Sequence, residues 1–184
     1  MPTAGEKTAD KAIGRTRGGL NTKLHTIVDG LGNPVTFLLS AGNDHDSTHA
    51  IQLLEQINIS GSSVLAGRAY GTSFIRTYIG EHGASYVIPP KSNVSDPWPV
   101  DWHLYKERHL VECFFQKIKW FRRIATRYDK LDASFLAFCI SRFHSYFVAL
   151  IQSLSFFKQG LVILKTIASQ ILLRIDIAYD ILLS

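Results

Sequence analysis

Two stretches near the N-terminus carry apolar and β-branched residues in short runs. They are Thr22 to Asp29 and Pro34 to Ser40. Between them lies Asp29-Gly-Leu-Gly-Asn33, with the glycines and Asn that a tight reversal needs. The pattern predicts a β-hairpin. The period then changes. Ala50, Ile51, Leu53, Leu54 and Ile57 form a helical stripe, with Asp46, Ser47 or Thr48 as N-cap. Ser63 to Ala66 reads as a short strand after the Ser60-Gly61 break. A helix follows from about Ser73, capped by Thr72 or Ser73 and stopped by Gly83. Ser85 to Ile88 is a further strand, ended by Pro89-Pro90, and 91–100 is a loop. One long helix is predicted from about His103 to Tyr128, because Leu110, Phe114, Ile118, Phe121 and Ile124 recur at three and four. Another helical region begins near Ala133. Residues 1–19 lack apolar periodicity and read as a flexible basic arm. Residues 20–150 form the domain, and 151–184 a helical extension.

Composition bounds the class. A chain of 184 residues, 46% hydrophobic and 19% charged, suits one globular domain. The net charge of +5 and pI near 9.3 suit nucleic acid or an anionic membrane surface equally. The clustering says more: Lys117, Lys119, Arg122, Arg123, Arg127 and Lys130 share one short stretch, interleaved with Trp120, Phe121 and Tyr128. Cations alternating with aromatics suit a DNA backbone with unstacked bases. The plainer reading is an amphipathic helix whose aromatics are core, which is expected for Phe121. Cys113 and Cys139 have no metal spacing and make no disulfide framework, so a reducing cytoplasm is expected. The polar N-terminus has no signal-peptide core, and no stretch approaches a membrane span.

Within the predicted long helix, Tyr105, Arg108, Glu112 and Lys119 fall within roughly a 60° arc at 100° per residue. One face then carries a phenol, a guanidinium, a carboxylate and an ammonium. The spacing Y-x2-R-x3-E-x6-K, with its flanking text Tyr105-Lys-Glu-Arg-His-Leu-Val-Glu112 and Phe121-Arg-Arg-Ile-Ala-Thr-Arg-Tyr-Asp-Lys-Leu131, resembles the signature of bacterial insertion-sequence transposases of the DDE, RNase H-like superfamily. The resemblance covers about Ile13 to Phe147. It implies an α/β fold with a mixed sheet and flanking helices. It also implies DNA strand cleavage and transfer at two Mg²⁺ ions held by three carboxylates. Glu112 takes the third acidic position. Tyr105, Arg108 and Lys119 assist DNA or phosphate contact, and Lys117, Arg122, Arg123 and Arg127 extend the DNA-binding set.

The acids fall short of that requirement. Where the family reads V-L-A-D-K-A-Y-D, this chain reads Val64-Leu-Ala-Gly67-Arg68-Ala-Tyr-Gly71, so the second acidic position is Gly67. The first acid belongs to a central strand that would precede Met1. An N-terminally truncated, incomplete RNase H-like fold is therefore expected, with a gap between the hairpin and the strand at Val64. Asp29 reads as a turn former. Asp44-His45-Asp46 reads as a helix cap and dipole partner. The resulting expectation is an insertion-sequence transposase of defective catalysis, working with DNA, a second copy or an upstream transposase fragment. The alternative is a non-catalytic DNA-binding or inhibitory fragment. A third reading is a peripheral membrane protein using the basic, apolar C-terminal half.

Overall fold

The computed structural model describes residues 12–154 and 172–183, with side chains placed through residue 143. The hairpin forms as expected. Strand β2 (Gly19–Val28) pairs antiparallel with β3 (Pro34–Ala41). Asp29 makes the turn: its Oδ1 accepts from the backbone N–H groups of Leu31 and Asn33, at 2.8 and 2.9 Å. Gly32 sits there at φ +80°, a region that L side chains rarely adopt. A side chain would also meet Leu110 at 3.5 Å, so the turn seats directly on the helix that carries Glu112.

Helix α1 (Ala50–Leu54) and helix α2 (Ser73–Glu81) flank strand β4 (Ser63–Leu65), and strand β5 (Ser85–Val87) follows. Thr72 caps α2 by accepting from the Ile75 N–H, and Gly83 stops it at φ +69°. The cap expected at 46–48 does not form. Asp46–His49 is a 3-10 turn preceded by His45, with no side-chain cap. Asp46 instead pairs with Lys23 Nζ at 2.7 Å, tying this turn to the hairpin.

The predicted long helix is broken into three. Helix α3 (Trp102–Lys106) leads to α4 (His109–Ile118) through bonds that span three residues instead of four. These run from Arg108 N to Tyr105 O and from Val111 N to Arg108 O. After Lys119 the chain turns out of the helix at Phe121. Helix α5 (Arg122–Ala125) follows, and then the two-residue strand β6 (Thr126–Arg127). The turn lets Phe121 and Ile124 reach the core while Trp120, 90% exposed, stays in solvent. The final helix, α6 (Asp132–Leu154), starts where expected.

Two expectations about the chain ends are overturned. Part of the arm is ordered as strand β1 (Gly14–Thr16), paired antiparallel with β2; residues 1–11 lie outside the described residues. The extension is not helical at its end. Leu172–Leu183 forms strand β7, and residues 155–171 lie outside the described set. β7 also removes the expected gap, because it lies between β2 and β4. It runs antiparallel to β2 (Thr22↔Ile181, Thr26↔Asp176) and parallel to β4 (Ser63↔Leu172, Leu65↔Arg174). β6 also pairs with it.

The sheet is thus a mixed one with helices on both faces. On β2, Ile27 faces a cluster with Leu53, Leu54, Val64, Ile75 and Ile79 from the α1–α2 side. Leu24 and Val28 face the other way, onto Val111, Phe114, Phe115, Ile118, Phe135 and Cys139. One strand burying both faces explains why β2 reads as a nearly continuous buried run. Cys139 is fully buried, and that burial pushes its thiol up to about 12. We expect native Cys139 to stay unmodified by a thiol reagent at mildly alkaline pH and to react after denaturation, read by mass spectrometry.

Candidate nucleic-acid and metal site

The signature residues survive the helix break as a local cluster. Arg108 Nη2 donates to Glu112 Oε1 across one turn, and the Arg108 guanidinium lies 5.6 Å from the Tyr105 ring centroid. The Glu112 side chain is half exposed, and that of Arg108 about a quarter. An exposed i,i+4 pair contributes little to stability. Its value is positional: it holds the guanidinium on an open surface beside a phenol. Lys119, the C-cap of α4, is exposed further along.

Gly67 lies two residues beyond the end of β4, at φ −68° and ψ 165°, and opens the 3-10 turn Arg68–Tyr70. An ordinary side chain is compatible with this backbone. Sequence reading took 151–184 as a helical extension and so missed strand β7. The signal was present in Arg174-Ile-Asp-Ile-Ala178, where apolar residues alternate with others at period two.

Three carboxylates are not gathered among the described side chains, and no described group of three His, Cys, Asp or Glu residues could hold a metal ion. Glu112 offers one carboxylate and Gly67 offers no ligand atom. These residues do not fit a centre for two hard cations.

The basic stretch divides in two. Lys117, Lys119, Arg122, Arg123 and Lys130 are exposed. Arg123 forms a fork with Asp129, at 3.0 and 2.5 Å, and lies 4.5 Å from the Phe138 ring centroid. That pairing holds the Asp129 carboxyl below its ordinary range. Arg127 is a correction. Expected on DNA, it is wholly buried. It donates to Asp132 Oδ1 at 2.5 Å, to Thr22 Oγ1 at 2.8 Å and to the Asp129 carbonyl at 2.9 Å. Asp132 in turn accepts from the Ala12 N–H at 2.6 Å. A guanidinium with these partners joins the start of α6 to β2 and has no face for a phosphate. Arg127→Ala would leave Asp132 short of its partner, and we expect a loss of about 3–5 kcal/mol in urea unfolding.

The Asp44-His45-Asp46 segment makes no described metal cluster either. His49 Nε2 lies 3.1 Å from Asp44 Oδ2, and its ring is 5.2 Å from that of His25. His25 is buried, with Nε2 2.8 Å from Ser40 Oγ. Burial first, then the neighbouring His49, lowers its pKa from 6.5 to about 4; Lys23 acts the same way, while Asp46 and Asp44 oppose it. The unfolded chain therefore binds the proton more readily. Stability is whole above about pH 6.5, falls as pH drops towards 4, and levels below that. We expect about 3 kcal/mol to be lost over this window, at 1.36 kcal/mol per unit, and His25→Gln to flatten the profile.

The fold is a mixed α/β domain in which Glu112 and Arg108 pair near a stretch of exposed cations on α4 and α5. Comparison with known proteins supplies the family. Residues 1–97 match the transposase DDE domain, so the chain belongs to the insertion-sequence DDE transposases. It is 37% identical over 123 residues to a Brucella ovis protein named as a "transposase for insertion sequence element IS6501", covering 65% of this chain and 92% of that one. No solved structure matches. DDE transposases as a family use a divalent metal such as Mg²⁺ and bind DNA. Among the described residues no helix is long and apolar enough to cross a membrane.

Proposed function

We propose that this chain is a transposase-lineage protein that holds DNA without cutting it. The observation that carries this reading is Gly67 at the second acidic position, with Glu112 paired to Arg108 instead of to other carboxylates. In this reading the fold is RNase H-like, with β7 in the place of its first strand. Phosphates are met by Arg108, Lys119, Lys117, Arg122 and Arg123, and Tyr105 lies against the backbone beside them. Arg108 then exchanges its intramolecular carboxylate for a phosphate, a bidentate pairing its planar fork suits. The protein works in the cytoplasm on element-end DNA, together with a second copy or a transposase fragment. Mg²⁺ enters only where partners complete the carboxylate set. The inhibitory role, in which such a copy co-assembles with an active transposase and stalls it, follows from the same retained surface and lost chemistry.

Two measurements test the reading. The purified chain should neither nick nor join element-end DNA with Mg²⁺ or Mn²⁺. Robust cleavage that disappears in Glu112→Gln would overturn this. Binding should be sequence-tolerant and steeply salt-dependent. If about four of the exposed cations meet phosphates, the log–log salt slope for duplex DNA should lie near −3.6. Replacing both Arg122 and Arg123 by Ala should make that slope shallower by about 1.8. A slope near zero would remove DNA from the proposal.

A further inference from the structure

β7 has an unusual place for the last described strand of a chain. It is central, paired with β2 on one side and with β4 and β6 on the other. None of these neighbours is joined to it by a short connection. Its covalent tie runs back through residues 155–171 to α6, which ends at Leu154. A chain of that many residues spans at most about 60 Å. A compact domain of this length has a radius of gyration of only about 16 Å. By length alone, a connection of this many residues can join neighbouring molecules.

The ladder itself has a weak point. Leu24 faces Tyr179 but Thr26 faces Asp176, so β7 holds one more residue than β2 between these pairs. Such a bulge interrupts regular pairing. A vacated slot, by contrast, exposes two strand edges at once, and open edges recruit strands. When β7 of one copy enters the slot of another, every backbone pair of the original sheet is reproduced. Only the connection differs. The balance between the two arrangements is then set mainly by concentration.

We propose that the slot between β2 and β4 exchanges its strand between copies, so that two chains complete each other's sheets reciprocally through β7. The partner is a second copy of this chain. The contact is backbone pairing in the register that the single chain shows. Catalysis plays no part in it, and it stands whether or not the DNA reading does.

The register supplies the test. Lys23 of β2 and Asp180 of β7 are direct partners. Directly opposed strand residues bring their Cβ atoms to about 4.5–5.5 Å, close enough for a disulfide after small adjustment. In a Cys113→Ser background, full-length Lys23→Cys chain is mixed with full-length Asp180→Cys chain, equilibrated at rising concentration and oxidised. A Glu81→Cys chain, altered on the exposed face of α2, replaces the Lys23→Cys chain as control. Exchange predicts a disulfide-linked hetero-pair roughly tenfold or more above that control, as a shared ladder's effective concentration requires, together with a dimer fraction that rises with concentration. A chain carrying both Lys23→Cys and Asp180→Cys reports the other arrangement. If it closes only on itself at every concentration, the strand stays at home and the proposal fails. If neither the mixture nor the double variant forms the bond, β7 does not occupy the slot, and the proposal fails again.

Discussion

The sheet depends on one constraint: the inner edges of β2 and β4 must find backbone partners. β2 runs antiparallel to its neighbour there and β4 runs parallel, so the strand between them must serve both patterns at once. Helices cover both faces of the neighbouring β2, and water cannot substitute for missing partners there. Each unpaired buried N–H or C=O costs about 1–3 kcal/mol, against a net stability of about 5–15 kcal/mol for a typical domain. β7 meets this requirement with residues far from either neighbour in sequence. The two hydrophobic clusters, and through them the position of α4 and Glu112, rest on that insertion.

A second constraint comes from the charge on the chain. The stretch between Lys117 and Lys130 reads as one cationic run, but the fold spends its members differently. Arg127 sits on β6, next to β7, where a long side chain has no way out to solvent. A buried guanidinium requires several acceptors, and Asp132, Thr22 and the Asp129 carbonyl supply them. Arg123 keeps a half-exposed fork on Asp129. The cations left on the surface are those on α4, α5 and their flanks. Linear charge density therefore overstates what a phosphate backbone can meet, because a strand as short as two residues is enough to turn one side chain inward.

Local signals were legible where a turn residue or a cap decided the outcome. Asp29 and Gly32 set the hairpin, Thr72 and Gly83 bounded α2, and Pro89 ended the strand before it. The signals failed where tertiary demand competed with periodicity. Phe114, Ile118, Phe121 and Ile124 keep helical spacing across a point where the backbone leaves the helix, since the core needs Phe121 and Ile124 from a new direction. The terminal stretch failed for a different reason. Its charges at Arg174, Asp176 and Asp180 argue against a membrane span but do not separate helix from strand. The alternation Arg174-Ile-Asp-Ile does separate them, over a window shorter than a helix reading uses. The cluster of Tyr105, Arg108 and Glu112 was legible because three- and four-residue spacings tolerate the tighter turn between α3 and α4.

The proposed function separates lineage from chemistry on physical grounds. Recognition of a phosphate backbone is a sum over separate cations, so losing Arg127 to the core removes one contact and leaves the rest. Holding two hard cations is not a sum. It requires several oxygen ligands converging at one place, and each missing carboxylate leaves both its bond and its charge unreplaced. The backbone at Gly67 admits an ordinary side chain, so the fold does not itself require glycine there. Glu112 belongs to no described group of three His, Cys, Asp or Glu residues, and it pairs with Arg108 one turn away. That pairing satisfies the acid locally and keeps the guanidinium at the surface. On the proposed reading, a surface that meets DNA persists where a centre that cuts it does not, because the two properties depend on the sequence with different cooperativity.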